Sequence, residues 1–371
     1  MRRRTGRLLS YAAGARQDLL LAMLVVLLVV ACAYQYWGLP EGMPGAFPGY
    51  GNSFVRWDLM LLSGLATLTV GVQIARGARS RLDQSIGRLI DRGVLAFGRD
   101  THTAFNVALD ARAGLWAQRS GLVVAVAIGA AFVLAFGIGL VLEPERLFLM
   151  VLELALGFAA GRYLGRMAAF GSLGWLLRGR HVRIVVRPGH IDGAAGLKPI
   201  GDYYLYQAAL SALPAVFLAV WLVLIPVWPS NRYDQWRDAY LGLLPLALAF
   251  EVLAFLLPMR AFHQEMASQK QEQRRTADVR SREIADIQAE LATCEDEQRR
   301  AGLKDQLASK TQQYWDIESM PTWPVDLRMW RRFTFGNAAL ALPLISEYLG
   351  LGGFAKQLVE TLQRVFERAA A

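Results

Sequence analysis

Reactive and metal-binding side chains are scarce in this sequence, whose 371 residues include two cysteines and four histidines. Cys32 lies in an apolar stretch and Cys294 in a highly charged one, so we expect no disulfide and no Cys/His metal cluster. The sequence also lacks a P-loop and a dinucleotide-binding fingerprint. We therefore predict no metal, no cofactor and no catalytic residues, and a function other than that of an enzyme is favoured.

Long apolar stretches are abundant. Six of them are long enough to cross the hydrocarbon core of a bilayer, which takes about 20 residues of helix. Because lipid offers no hydrogen-bond partners to the backbone, each stretch is expected to be helical. The predicted spans are residues 18–36, 59–75, 121–142, 147–165, 206–228 and 239–259. The sequence thus predicts an all-α integral membrane protein with a six-helix membrane domain over residues 18–260.

Arginine and lysine are concentrated in alternate loops. Residues 1–17 carry five of them, residues 76–120 eight and residues 166–205 six, whereas the loops on the other side carry four. Cytoplasmic loops are enriched in these residues, so we predict a basic cytoplasmic N-terminus and cytoplasmic loops at 76–120 and 166–205. The net charge of +9 then reflects arginines that meet anionic lipid headgroups. Nucleic acid is not an expected partner, because these arginines flank spans and do not line one groove.

The first cytoplasmic loop has an amphipathic pattern over residues 77–118. Leu82, Ile86 and Leu89 recur at helical spacing, with charged residues between them. A helix of this kind either lies in the membrane interface or packs on its own bundle. The pattern leaves both alternatives open.

Residues 261–318 are rich in Glu, Gln, Lys, Arg and Ala and contain no proline. This composition is typical of a coiled coil or a long helix. The apolar register slips at Ala301–Leu303, where a turn would make an antiparallel helical hairpin and a stutter would leave one rod. A solvated charged helix is the third alternative. We expect this segment to bind a cytoplasmic protein or to form a homo-oligomer.

Residues 319–371 form a predicted membrane-associated segment with an amphipathic tail. Two prolines interrupt helix near Ser319–Asp326. The stretch Phe333–Leu351 carries Glu347 as its one charge and is either a seventh span or a re-entrant segment, because glycines and Pro343 interrupt it.

Charged residues are costly inside membrane spans and are often functional there. Apart from Asp18 at the start of the first span, the predicted spans contain Glu153, Arg162 and Glu251. Arg162 and Glu251 lie at similar depths, so we predict an intramembrane ion pair between them. Such a pair either serves transport or only fixes helix packing. Glycines at steps of four along the fourth span indicate close helix packing.

The loop before the fifth span is the one candidate ligand site. A short β-branched run ends in Pro188–Gly189, and polar and glycine residues follow. Backbone amides and basic side chains in such a loop suit an anion. The alternative is an ordered loop that seals the cytoplasmic end of the bundle. The candidate anion-binding or ligand-binding residues are Arg187, His190, Asp192, Gly193, Gly196 and Lys198.

Two short segments resemble known sequences. Residues 190–197, H-I-D-G-A-A-G-L, resemble a loop of uncharacterised bacterial polytopic membrane proteins in which H-x-D-x-x-G-G-L is typical. Those proteins often carry a later W-P-x-D segment, similar to residues 323–326. Ala195 departs from the pattern, which has glycine at its place. The resemblance implies a bacterial inner-membrane protein and no particular activity.

Three functions follow from these features. The first is a gated channel or membrane platform whose cytoplasmic helices bind or sense a partner. The second is a secondary transporter of a small solute or ion. The third is a membrane enzyme that acts on a lipid or phosphate substrate through the loop containing His190 and Asp192.

Overall fold

A computed structural model describes residues 59–97, 99–136, 144–179, 182–227, 234 and 236–349. These residues are mostly helical, which fits the predicted all-α class. The helices are α1 (Leu59–Arg76), α2 (Ala78–Asp91), α3 (Arg99–Phe136), α4 (Pro144–Gly171), α5 (Leu173–Gly179), α6 (Lys198–Ser211), α7 (Leu213–Leu224), α8 (Arg237–Thr293), α9 (Glu297–Glu318) and α10 (Leu327–Tyr348). A 3-10 turn, Ile225–Val227, follows α7, and two short strands, β1 (Leu95–Ala96) and β2 (Arg183–Ile184), pair antiparallel.

By length and composition, two helices of the described ranges suit a bilayer crossing: the stretch His102–Ala130 within α3, and α8. Helices α6 and α7 pass the same test as one bent unit. The predicted spans 59–75 and 147–165 lie within helices α1 and α4, and their crossing of a bilayer stays a prediction. The predicted span 18–36, the N-terminal segment 1–17 and the C-terminal tail lie outside the described residues.

The predicted span 206–228 falls largely within a helical segment that begins at Lys198 and bends by 41° between α6 and α7. Pro214 explains the bend, because its nitrogen has no hydrogen to donate to the carbonyl one turn earlier. The predicted span thus consists of two helices joined by a bend.

Helix α8 shows no break where the membrane domain was predicted to end at residue 260. It runs for 57 residues, which corresponds to about 85 Å of helix. Pro245 and Pro258 both lie inside it. The boundary predicted from hydropathy is thus a change of surroundings along one continuous helix.

The end of α8 and helix α9 form an antiparallel hairpin, which we call the hairpin (residues 271–318). Lys310 pairs with Glu283 across it at 2.6 Å. The turn lies at 294–296, so the turn predicted at Ala301–Leu303 is wrong. Asp296 explains the difference, because its side chain caps α9 by accepting the amide of Gln298 at 2.9 Å.

The two predicted cytoplasmic loops are largely helical and share one hydrophobic core. Leu82, Ile86 and Leu89 of α2 are at most 2 % exposed. The apolar face of α2 therefore packs on its own bundle, which is one of the two predicted alternatives. Other buried members of this core are Phe105, Leu109, Leu173, Leu177, Leu197, Ile200, Tyr204, Phe262 and Met266.

Helix α10 covers the stretch predicted as a seventh span or a re-entrant segment. It is one continuous helix that contains Pro343 and runs antiparallel to the first part of α8. Arg237 at the start of α8 forms an ion pair with Glu347 near the end of α10. Asn337, in the middle of α10, donates to Glu251 of α8.

Candidate functional site

Asp192 is the centre of the loop that links β2 to α6. Its side chain is 5 % exposed, and Oδ1 accepts the amides of Ala194 and Gly196, each at 3.0 Å. Arg92, just after α2, donates from Nη1 to Oδ2 at 2.7 Å, and Nδ1 of His190 lies 2.9 Å from Oδ1. One carboxylate thus organises the loop and ties it to α2.

The ionisation of Asp192 follows from these contacts. Burial by itself raises the pKa of the carboxyl. The amide hydrogen bonds from Gly196 and Ala194, together with the ring of His190, outweigh burial, so the pKa of Asp192 lies below its ordinary value. The side chain is therefore ionised at neutral pH and serves as a fixed acceptor.

The backbone of this loop turns in the left-handed region. Gly193 has φ of 66°, Ala195 of 53° and Gly196 of 91°. Gly196 has no room for a side chain, because a Cβ there would lie 2.7 Å from Cγ2 of Val94. Ala195 adopts a left-handed φ that glycine would adopt without strain.

Several of the predicted anion-binding residues contact other residues of this chain. Nζ of Lys198 lies 2.6 Å from Oδ2 of Asp326, and the amide of Gly193 donates to the carbonyl of His190 at 3.2 Å. Arg187 is exposed, and its guanidinium covers Gly93. Lys198 and the loop amides are already hydrogen-bonded, and Arg187 lies apart from them at Gly93. The geometry therefore favours an ordered loop that seals the end of the bundle over an anion-binding loop.

A metal or catalytic role for His190 and Asp192 has little support. Among the described residues, no group of three or more His, Cys, Asp and Glu side chains is arranged to hold a metal ion. Asp192 is engaged by Arg92 and by two amides, which leaves it poorly placed to accept a proton from a substrate.

The loop packs against the segment that joins α9 to α10, residues 319–326. The backbone at Gly201 leaves no room for a Cβ beside the Pro324 carbonyl. Asp326 accepts Lys198 and also caps α10 through the amide of Met329 at 2.8 Å. The two segments that carry the resemblance therefore lie in contact. We call residues 187–198 together with residues 319–326 the clamp.

The clamp holds α8 near the point where its apolar part ends. The ring of His263 stacks on Trp323, with centroids 4.3 Å apart and planes at 20°. Nδ1 of His263 lies 2.7 Å from the carbonyl oxygen of Thr322, and Nζ of Lys270 donates to that of Met320 at 2.7 Å. These contacts fix one side of α8 to the clamp over about two turns.

Gln269 of α8 binds the open edge of β2 in the manner of a neighbouring strand. Its Nε2 donates to the carbonyl of Ile184 at 2.6 Å, and its Oε1 accepts the amide of Val186 at 2.9 Å. The opposite edge of β2 pairs with β1, where Val185 donates to Val94 at 2.8 Å. One side chain thus satisfies the backbone groups that an edge strand leaves unpaired.

The polar residues of the apolar helices do not pair as predicted. Glu251 is 5 % exposed, and its Oε1 accepts Nδ2 of Asn337 at 3.2 Å. Arg162 instead lies on the face of α4 towards α3, with its guanidinium 5.8 Å from the ring of Phe158. The predicted Glu251–Arg162 pair is therefore wrong. Within the described ranges, Oε2 of Glu251 and Oδ1 of Asn337 have no hydrogen-bond partner.

The glycine stripe of the fourth predicted span is a packing surface. A Cβ at Gly161 would lie 2.6 Å from the carbonyl oxygen of Ser120 on α3, and Gly165 is equally crowded by Trp116. Oγ of Ser120 donates to the carbonyl of Gly161 at 2.6 Å. Glu153 belongs to α4, but its side chain lies outside the described part.

Sequence reasoning misses three partners in these sites: Arg92, Gln269 and Asn337. Asn337 has a usable signal, since it is an amide inside an apolar stretch. Arg92 and Gln269 contact residues 100 and 85 positions away, and nothing local distinguishes them from other surface residues.

No family model, curated protein or solved structure is significantly similar to this chain. The resemblance of residues 190–197 and 323–326 to bacterial membrane proteins therefore stays a prediction. The function has to be argued from the geometry of the clamp, α8 and the buried polar pair.

Proposed function

We propose that this chain is a bacterial inner-membrane protein that acts as a gated channel or membrane platform, controlled by a partner that binds its cytoplasmic hairpin. The continuity of α8 carries the proposal. One helix of 57 residues joins the stretch that suits a bilayer crossing to the hairpin. A displacement of the hairpin is therefore transmitted to the apolar part of α8 along one continuous helix, which passes through Pro258.

The clamp is the point about which α8 would move. It grips α8 at His263 and Lys270, between the apolar part and the hairpin. The segment 319–326, which is part of the clamp, also connects α9 of the hairpin to α10. A partner that moves the hairpin would therefore displace the clamp and α10 together.

Movement of the hairpin and the clamp would rearrange the interface between α8 and α10 in the apolar bundle. Glu251 and Asn337 meet there, and Arg237 with Glu347 closes the far end. A polar contact between apolar helices with orphaned oxygens is a candidate ion pathway. We propose that α10 crosses the bilayer beside α8 and that the N-terminus is cytoplasmic, as the distribution of arginine predicts.

Secondary transport is the second candidate function. The bend between α6 and α7 favours it, because transporters often build substrate sites from broken helices. The buried carboxyl of Glu251 is a candidate coupling group. A channel and a transporter differ in flux, since a channel gives resolvable unitary currents and a transporter does not.

The test of the proposed function uses full-length protein in a planar bilayer and a variant that softens α8 just after its contacts with the clamp, at the start of the hairpin. Arg274 and Arg275 are exposed and lie within this stretch. Arg274→Gly with Arg275→Gly lowers helix stability there by about 2 kcal/mol, while Arg274→Ala with Arg275→Ala removes the same charges and keeps the helix. The alanine pair is the matched control.

We expect unitary currents from the wild type, a changed open probability in the glycine pair and wild-type gating in the alanine pair. Silent bilayers with protein that is folded by size exclusion and circular dichroism would contradict a channel. Proton or solute uptake into liposomes by that same silent preparation would establish the transporter. Equal gating in the glycine pair and the alanine pair would refute transmission of movement along α8.

A further inference from the structure

A narrow apolar groove opens between α1, α4 and the α6–α7 bend. Its volume is about 270 Å³. Gly64, Gly71, Tyr163 and Leu213 are among its lining residues, and nearly all of its wall is apolar. Thr67 contributes a hydroxyl, which is already donated to the carbonyl of Ser63 at 2.7 Å. The groove therefore suits an apolar ligand.

The length of the groove matches one leaflet of a bilayer. Along α1 its wall runs from Gly64 to Ala75, which is about 16 Å of helix. Half of a hydrocarbon core about 30 Å thick is about 15 Å. An acyl chain that enters at the Ala75 end would thus reach the bilayer midplane at Gly64.

The groove is too small to enclose another helix. A helix about 10 Å across and 16 Å long would need about 1,200 Å³. The groove offers about 270 Å³. A single acyl chain is the membrane component that is both long enough and narrow enough.

The mouth of the groove, at its Ala75 end, is positively charged. The guanidinium of Arg166 lies 5.9 Å from the ring of Tyr163, which lines the groove. The charges of Arg166, Arg76 and Arg162 all act on the Tyr163 hydroxyl. The other charged side chain that acts on Arg166 is Arg162, which is also a cation.

Arg166 has no acidic partner among the described residues. In the described part of the chain, neither Arg162 nor Arg166 forms a salt bridge, and the hydroxyl of Tyr163 donates no hydrogen bond. A guanidinium beside a hydroxyl donor is suited to a phosphate, which accepts several charged hydrogen bonds. The mouth therefore calls for an anion at the place where a phospholipid headgroup would lie.

We propose that this groove is a binding site for an anionic phospholipid, with one acyl chain between α1, α4 and α7 and the phosphate at Arg166 and Tyr163. The bound lipid would brace the α6–α7 bend, because Leu213 and Pro214 form part of the groove wall. The site does not depend on the proposed channel activity.

The test is native mass spectrometry of the delipidated full-length protein, titrated with dioleoyl-phosphatidylglycerol or dioleoyl-phosphatidylcholine. Arg166→Gln removes one phosphate donor, and Arg260→Gln, at an exposed arginine of α8, is its control. Gly71→Leu fills the groove, and Gly242→Leu, at an open position of α8, is the matched control. Thr67→Phe fills the groove without replacing a glycine and guards against a misfolded variant.

We expect the wild type to prefer phosphatidylglycerol. Arg166→Gln should weaken that binding about five-fold and weaken phosphatidylcholine less, because the choline cation already offsets the phosphate charge in that lipid. Gly71→Leu and Thr67→Phe should abolish the tight site for both lipids, and both controls should bind as the wild type does. Equal binding of the two lipids with no effect of Arg166→Gln would overturn the headgroup assignment, and wild-type binding by both filled variants would overturn the groove.

Discussion

Arg92 and Asp192 are 100 residues apart in the sequence, yet Nη1 of Arg92 lies 2.7 Å from Oδ2 of Asp192. This contact fixes the loop of the clamp to the end of α2. The carboxylate also holds two loop amides, so its charge stabilises both the conformation of the loop and its attachment. The loop is therefore sensitive to the ionisation of one side chain.

Asp192→Asn should lower the free energy of unfolding by about 2 kcal/mol at neutral pH, because hydrogen bonds to a charged acceptor are replaced by weaker ones. The folded pKa of Asp192 lies below the value near 3.9 of an unfolded chain. Its contribution is thus present above about pH 4 and is lost as the pH falls through the folded pKa. Thermal unfolding from pH 7 to pH 3 would measure this.

The control for Asp192→Asn is Asp91→Asn, at an exposed carboxylate next to Arg92. It should unfold within about 0.5 kcal/mol of the wild type at every pH. A deficit of Asp192→Asn that stays constant down to pH 3 would contradict the role of its charge.

Ala195 and Ala194 offer a direct measure of backbone strain in the loop. Both are buried, but only Ala195 has a left-handed φ, at 53°. Ala195→Gly relieves about 1–2 kcal/mol of strain and loses a similar amount in methyl burial and chain entropy, so its stability should stay close to the wild type.

Ala194→Gly has the same losses without the relief and should destabilise the protein by about 1–2 kcal/mol. Urea unfolding of the two variants side by side tests the difference. Equal destabilisation of both would show that Ala195 carries no strain.

The helix content followed from the sequence, whereas the contacts between helices did not. Depth in a bilayer can be counted along the chain, which placed Arg162 and Glu251 at one level. The rotation of each helix about its axis is set by tertiary packing, and Gly121 and Phe158 place Arg162 towards α3 while Glu251 faces Asn337. Counting residues carries no information on that rotation.

The continuity of α8 and the place of the hairpin turn were not visible in the sequence for a similar reason. Hydropathy falls after residue 260, but helix propensity does not, so α8 continues where the environment changes. Gly302 marked a slip in the apolar register, yet a solvent-exposed glycine costs a helix only about 1 kcal/mol. The capping side chain of Asp296 and the packing of α9 on α8 placed the turn earlier.

Gln269→Ala should lower the free energy of unfolding by about 1–3 kcal/mol, because it leaves the carbonyl of Ile184 and the amide of Val186 without partners. Gln269→Glu keeps an acceptor for Val186 but sets a carboxylate against the carbonyl of Ile184, so it should not restore stability. Gln271→Ala, at an exposed position nearby, is the control and should be near neutral. Hydrogen exchange at Val186 is the specific readout, and its protection should fall in Gln269→Ala but not in Gln271→Ala.

Glu251→Gln should fold as well as the wild type. A buried carboxylate with a single amide hydrogen bond is costly to keep ionised, and glutamine has the same shape without the charge. The new amide can also donate to Oδ1 of Asn337, which has no partner among the described residues. Asn337→Asp places a second carboxyl beside Glu251 and should reduce the yield of folded protein. Yield and monodispersity on size exclusion would measure both changes, with Asn337→Ser as the uncharged control. A folding defect in Glu251→Gln equal to that in Asn337→Asp would contradict this prediction. It would mean that the charge of Glu251 is needed for folding and that its contact with Asn337 has a structural role.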